Sequence, residues 1–163
     1  MRDKEVLSIH HLRKALTLRR NHNMGAILLI SGNELNVDQF NISWQLKPST
    51  VHRKGEPVRK TRPEGEKKKA STIIYDISDA DYSDLSAQIQ EVTHFLRDNK
   101  HHLEKLEYDN TIESIAIDFA FNSRIDRVKV EVQHDYFPAE FVKLAGSLNI
   151  EIRLTQWPYD SIE

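Results

Sequence analysis

The stretch Ile112–Phe121, with the sequence IESIAIDFAF, decides the fold because its apolar residues alternate with small or polar ones from Ile115 onward. Successive side chains of an extended chain point to opposite faces, so this pattern predicts a strand with one apolar face. After a short gap the segment 128–132 alternates valine with charged residues in the same way. We expect the two segments to form an antiparallel hairpin with one solvated face.

Further strand signals lie on both sides of this hairpin. The apolar run Ile27–Ile30 ends in Ser-Gly-Asn, which predicts a buried strand followed by a turn. Thr72–Ile77 is rich in β-branched and aromatic residues, and Ile150–Leu154 alternates apolar with charged residues. Both segments are therefore predicted to be strands.

Helical spacing of apolar residues separates these strands. Leu85 to Leu106 shows one apolar stripe, with Ser83 or Asp84 as its cap and a break near Asn99-Lys100. Pro138 suits the first turn of a later helix that ends near Gly146. A short helix capped by Asn36 or Asp38 is predicted to end before Pro48.

The predicted order is β-α-β-α-β-β-α-β, which belongs to the α+β class. We expect a mixed sheet of about five strands with helices on one face, related to ferredoxin-like arrangements. Two β-α-β segments are predicted, over residues 26–77 and 112–155, each with a right-handed crossover.

Length and composition indicate one folded domain. The chain has 163 residues, of which 39% are hydrophobic, enough to bury a core. We assign residues 24–163 to a single α+β domain and residues 1–23 to an N-terminal appendage or a first helix. The chain contains no cysteine, which excludes disulfides, thiolate metal sites and a cysteine nucleophile and favours the cytoplasm. No apolar run is long enough to cross a bilayer.

Charge is unevenly distributed along the chain. Residues 1–70 hold 15 Lys+Arg and 7 Asp+Glu, which gives a net charge of +8. Residues 71–163 hold 8 Lys+Arg and 18 Asp+Glu, which gives a net charge of −10. Residues 49–70 contain prolines, glycines and eight basic residues, and we expect a basic loop that is mobile around 61–69. Such asymmetry indicates a charged interaction surface.

The residues from Leu29 to Glu56 resemble the opening of a bacterial family known as domain of unknown function 4279. The likeness rests on Leu29-Ile30-Ser31-Gly32, on Leu35 to Leu46 followed by Pro48, and on Arg53-Lys54-Gly55-Glu56. The helix from Leu85 and the closing helix and strand are similar to the remainder of that family. This resemblance implies a small bacterial cytoplasmic protein and brings no activity or catalytic residue with it.

We found no signal for catalysis or for a cofactor. The chain lacks a glycine-rich phosphate loop, a Gly-x-Ser-x-Gly elbow and a His-Glu-x-x-His motif, so we expect a protein that is not an enzyme and holds no cofactor. His94, Asp98 and His101 or His102 fall near one helical face, but solvated polar residues explain that pattern more simply than a metal site does, so we expect no bound metal.

The leading functional hypothesis is therefore binding of a basic protein partner through an acidic surface. Immunity proteins that neutralise a toxic nuclease in the producing bacterium work in this way. The expected surface consists of Asp79, Asp81, Asp84, Glu104, Glu107, Asp109 and Glu113.

The alternative hypothesis is a nucleic-acid or anion-binding module that uses the basic loop, because each cation that neutralises a phosphate releases counterions. Its residues are Arg53, Lys54, Arg59, Lys60, Arg62, Lys67, Lys68 and Lys69. The loop has no aromatic residue on which a base would stack, which makes nucleic acid the less favoured partner. The sequence leaves the oligomeric state open.

Overall fold

The structure, a computed structural model, describes residues 25–40, 46–125 and 128–158. Its strands are β1 (Ala26–Gly32), β2 (Thr50–His52), β3 (Ser71–Ser78), β4 (Ser114–Asn122) and β5 (Glu151–Trp157). Its helices within these ranges are α1 (Leu85–Asp98), α2 (Lys100–Leu106) and α3 (Ala139–Ser147). The predicted N-terminal helix and most of the predicted helix after Asn36 lie outside the described residues.

The strands form one five-stranded mixed sheet in the order β2-β3-β1-β4-β5. Three neighbouring pairs are antiparallel, and β4 and β5 are parallel. The predicted α+β class and the predicted mixed sheet are therefore confirmed. The predicted break in the long helix is also confirmed, because Asn99 separates α1 from α2.

The predicted hairpin between 112–121 and 128–132 is wrong. Residues 128–132 are not a strand, and Val128 and Val132 are 86% and 62% exposed. The physical reason is that β4 already pairs with β1 along one edge and with β5 along the other. Neither edge of β4 has hydrogen-bonding groups left for a third partner. The fifth strand is instead the short β2.

Only one of the two predicted β-α-β segments has parallel strands. The segment 112–155 is confirmed, since α3 connects the parallel strands β4 and β5. The segment 26–77 is not a β-α-β unit, because β1 and β3 are antiparallel with Gly32 opposite Ser71. The connection from β1 to β3 begins and ends at the same end of the sheet. The strand β3 therefore runs antiparallel to β1.

The core lies between one face of the sheet and the helices. Leu28 and Ile30 of β1 and Ile117 and Phe119 of β4 are fully buried on this face. Helices α1 and α3 supply the opposite side of the core, and their fully buried residues there include Val92, Leu96 and Phe141. Alternation along β1 and β3 between buried and half-buried positions shows that the second face of the sheet is partly open.

Candidate functional site

Four carboxylates gather where β3 ends and α1 begins, and we call this region the acidic end. It consists of Asp79, Asp81, Asp84 and Glu91. The local sequence explains why these carboxylates lie there. The strand β3 ends at Ser78, and the turn-forming residues after it reverse the chain into α1. Three of these residues, Asp79, Asp81 and Asp84, were predicted from the sequence.

Two carboxylates of the acidic end shape the turn themselves. Asp84 is the N-cap of α1 and accepts a hydrogen bond of 2.9 Å from the Ala87 amide. Asp81 accepts bonds from the Ser83 amide at 2.8 Å and from the Ser83 hydroxyl at 2.7 Å. These hydrogen bonds from Ser83 lower the pKa of Asp81. The donors are neutral, so these hydrogen bonds place no positive charge beside the two side chains that hold the turn.

Glu91 is a member of the acidic end that our sequence reasoning missed. Its carboxylate accepts hydrogen bonds from the Ser78 hydroxyl at 2.7 Å, the Asp79 amide at 2.9 Å and the Ala80 amide at 3.2 Å. Glu91 therefore fixes the backbone of the residues that follow β3. The available signal was its position seven residues, two helical turns, after Asp84, which places both carboxylates near one face of α1.

A buried amide anchors the acidic end to the centre of the sheet. Gln88 is fully buried, and its Nε2 donates to the Asp81 carbonyl at 3.1 Å and to the Ala120 carbonyl at 2.9 Å. One bond reaches the turn and the other reaches β4. The two bonds fix the acidic turn relative to β4. Moving the turn would leave a buried carbonyl without a hydrogen bond, which is costly.

The carboxylates of the acidic end have no ion-pair partner within the part of the chain that the structure describes. Residues 71–96 contain five carboxylates and neither lysine nor arginine. Among the described residues, none of the four carboxylates of the acidic end forms an ion pair. The negative charge of these side chains is therefore not cancelled by ion pairs with described residues.

The remaining predicted acidic residues form a second group at the opposite end of α1. Glu104 pairs with Lys100 at 3.6 Å, and Asp109 accepts bonds from the Thr111 amide and hydroxyl at 2.9 and 2.6 Å. Glu113 accepts a bond of 3.3 Å from the Asn33 amide group, and Glu107 is exposed. A helix of 14 residues is about 20 Å long, so the structure divides the predicted acidic surface into two groups that do not touch.

The basic loop is a hydrogen-bonded arm, which we call the basic hairpin (residues 53–69). Val58 donates its amide to the Glu66 carbonyl at 2.8 Å, and Lys68 and Glu56 join the two sides through another bond of 2.8 Å. Pro57 and Lys67 lie opposite each other. The segment between β2 and β3 contains no strand, as expected for a loop, but its two sides are hydrogen-bonded to each other, because backbone pairing needs no apolar side chains.

The cations at the base of the basic hairpin are neutralised. Arg53 lies 2.6 Å from Asp38, Lys54 lies 3.3 Å from Glu34, and Lys68 lies 3.3 Å from Glu56. Exposed pairs of this kind stabilise little, but they cancel charge locally. Partial burial and the nearby Lys68 ammonium lower the pKa of His52. Its Nδ1 lies 2.6 Å from the Lys68 Nζ, so a neutral His52 accepts that hydrogen bond.

The other five cations of the basic hairpin are not neutralised by described residues. All are exposed, and none forms an ion pair with a described residue. They are Arg59, Lys60, Arg62, Lys67 and Lys69. The Lys67 ammonium donates a hydrogen bond to the Pro63 carbonyl, which leaves its charge in place. Unpaired positive charge therefore runs along the hairpin from Lys69, beside its base, to the outer residues.

The two charged features lie at opposite ends of β3. The basic hairpin leads into Ser71, and the acidic end follows Ser78. Eight strand residues span about 26 Å. The base of the hairpin instead lies near the second acidic group, because Lys54 donates to the Asn33 carbonyl and the Asn33 side chain bonds Glu113.

The described residues hold no cluster of histidine and carboxylate groups arranged to bind a metal ion. An open groove of about 580 Å³ lies between α1 and α3, and Arg97 and Glu140 form an ion pair across it. Within the described ranges no helix has both the length and the apolar composition required to traverse a bilayer.

Comparison with protein families gives one match. A family model described as "Domain of unknown function (DUF4279)" matches residues 21–159. No curated protein and no solved structure matches the chain.

Proposed function

This chain belongs to the family described as a domain of unknown function, DUF4279, whose description assigns no chemistry, and we propose that it is a non-enzymatic binding protein. Its partner is a basic protein, held at the acidic end. One observation carries this proposal: four carboxylates lie at one end of the fold, and none of them forms an ion pair with a described residue.

The acidic end has two properties that favour recognition over simple solubility. Its turn is held by two hydrogen bonds to α1: the Asp79 amide donates to the Glu91 carboxylate, and the Gln88 side chain donates to the Asp81 carbonyl. Preorganised charge loses less entropy on binding than charge on a mobile loop. Clustered carboxylates also steer a cationic partner and raise its association rate.

The class of partner follows from this chemistry. Enzymes that cleave nucleic acids bind phosphates in cationic clefts, and a rigid cluster of carboxylates occupies such a cleft as a substrate phosphate would. We propose that the chain is an immunity-type inhibitor of a bacterial toxin of this kind. The toxin would be encoded beside it.

The test uses the product of the adjacent gene as the partner and measures its association rate at low and high salt. The variant Asp79→Asn/Asp81→Asn/Asp84→Asn removes three charges yet keeps the hydrogen-bond acceptors, because asparagine caps helices as well as aspartate does. We expect the association rate to fall on the order of 10-fold at low salt and the salt dependence to weaken.

The matched control is Glu104→Gln/Glu107→Gln/Glu113→Gln, which removes three charges from the second acidic group. It should leave the association rate within about 2-fold of the original. Absence of any binding at low salt, or equal losses in both triple variants, would contradict the proposal.

The unpaired cations of the basic hairpin favour a second candidate function, the binding of a polyanion. The hairpin offers phosphate contacts but no aromatic platform, so duplex nucleic acid fits it better than single strands do. Binding through such contacts is expected to be weak and independent of sequence.

This second function is tested by titrating a labelled DNA duplex at several salt concentrations. The slope of log K against log salt is negative, and replacing Arg59, Arg62 and Lys69 with alanine should reduce its magnitude by about 2 to 3, since each phosphate contact contributes about −0.9. The control replaces Lys100, Lys105 and Lys143, which lie on the helices, and should leave the slope unchanged. A duplex that fails to bind at low salt, or equal slopes in both variants, excludes this function.

A further inference from the structure

The outer edge of β5 exposes both backbone groups and apolar side chains. β5 has seven residues and pairs with β4 on one side only, at the end of the sheet order. Ile152 and Leu154 are 36% and 55% exposed, although they lie on the same face as the buried Ile117 and Phe119. Long apolar edges are templates for pairing with another chain.

The other edge of the sheet is protected. β2 has only three residues and continues into the basic hairpin. Short edge strands that carry clustered charge resist pairing. Among the described strands, β5 is therefore the edge open to a partner.

The hydrogen-bonding direction of β5 can be read from its last residue. Ser123 donates its amide to the Trp157 carbonyl at 2.7 Å, so the backbone groups of Trp157 point toward β4. In a parallel pair the backbone groups of alternate residues point to opposite sides. The groups of Ile152, Leu154 and Gln156 therefore point to the open edge.

We propose that β5 pairs antiparallel with β5 of a second copy of this chain, with Ile152 beside the two-fold axis. The two sheets then join into one sheet of ten strands. A two-fold contact is self-complementary, so each feature of β5 must find its match in the same strand of the other copy. This inference is independent of the proposed function.

The charges of β5 supply that match. In a pairing centred on Ile152, Glu151 of each copy lies opposite Arg153 of the other. Both side chains already lie on the open face of the sheet, where they contact each other at 2.7 Å and both contact Ser114. Opposite charges directly across an antiparallel pair stabilise it, and like charges destabilise it.

The backbone and the apolar residues fit the same register. The two copies of Ile152 exchange amide and carbonyl bonds, because these groups point to the open edge. The Leu154 amide faces the Ile150 carbonyl of the second copy; the Ile150 amide itself is already used by the Ala145 carbonyl at 3.0 Å. Pairing also covers apolar area on Ile152 and Leu154 that is now exposed to water.

The experiment is sedimentation equilibrium of the full chain from about 1 µM to about 1 mM, which spans weak to moderate dimers. We expect a monomer–dimer equilibrium. Glu151→Arg and Arg153→Glu each place like charges opposite one another and should raise the dimer Kd on the order of 10-fold. The double variant Glu151→Arg/Arg153→Glu restores both the cross-strand pairs and the pair within the strand, and should restore the original Kd.

Two further variants complete the test. Ile152→Lys should abolish the dimer, because two ammonium groups would meet beside the axis. Glu66→Arg makes the same change of charge on the distant basic hairpin and should leave the dimer unchanged. A chain that stays monomeric throughout the range, or a dimer that the double variant fails to restore or that Ile152→Lys leaves intact, overturns the proposal.

Discussion

Replacing Phe119 with alanine is expected to lower the free energy of unfolding by about 3 to 5 kcal/mol. Phe119 lies in the central part of β4 and is fully buried. Its ring contacts Phe137 at a centroid distance of 5.4 Å and Phe141 at 5.6 Å in an edge-to-face arrangement. The substitution removes these ring contacts and leaves a cavity that the rigid sheet cannot close. Urea denaturation with an unchanged m-value would measure the loss.

A graded control separates the cavity from other effects. Phe119→Leu keeps most of the buried volume and should cost less than about 1.5 kcal/mol. Val142→Ala removes an apolar side chain that is 46% exposed and should cost less than about 0.5 kcal/mol. A loss below about 1.5 kcal/mol for Phe119→Ala would contradict the close packing of this cluster.

Replacing Gly32 with alanine should also destabilise the fold strongly, by about 1 to 3 kcal/mol or more. A Cβ atom at Gly32 would lie 1.9 Å from the Thr111 carbonyl oxygen and 3.0 Å from the Thr111 carbonyl carbon. Both atoms belong to the backbone, and the adjacent Glu113 amide donates to the Ser31 carbonyl at 2.9 Å. The clash can be relieved only by moving the start of β4 away from β1. Thermal and urea unfolding would both report this loss.

Gly146 provides a control with the opposite sign. It lies in α3, and a Cβ atom there would meet no atom within 4 Å. Gly146→Ala should stabilise the chain by about 0.5 to 1 kcal/mol, because alanine loses less backbone entropy in a helix. If both glycine variants change stability in the same direction, the close approach at Gly32 is not the cause.

These two sites bear on the interaction surfaces as well as on stability. The cluster around Phe119 packs α3 against β4, and α3 leads directly into the β5 edge. Gly32 allows β1 to approach the segment that carries Glu113 of the second acidic group. The acidic end is linked to the same strand, because Gln88 donates to the carbonyl of Ala120, the residue next to Phe119. We therefore expect loss of packing at Phe119 to disturb both the β5 edge and the acidic turn.

The fold was predicted well where local patterns decide structure. Alternation in Ile115–Phe121 identified β4, and helical spacing with a capping aspartate identified α1. The cap, the break at Asn99 and the helix after Pro138 depend on side chains and backbone groups close in sequence. Interactions of short range can be read from residue order alone.

The candidate sites were predicted by composition but not by arrangement. The sequence identified every acidic residue of the first group except Glu91, whose three hydrogen bonds come from a strand end 11 to 13 residues away. It also identified all the basic residues of the hairpin. It did not show that Arg53, Lys54 and Lys68 have acidic partners while the other five cations have none among the described residues.

The sequence by itself determined the α+β class, most strands and helices, and the opposite charges of the two halves of the chain, because periodicity and charge are properties of neighbouring residues. Only the tertiary structure decided which strands pair. Valine alternation at 128–132 has the form of a strand, but both edges of β4 were already taken by β1 and β5. Tertiary structure also divided the acidic residues between the two ends of α1 and left the β5 edge open. Pairing and separation in space depend on competition between distant segments, which residue order does not record.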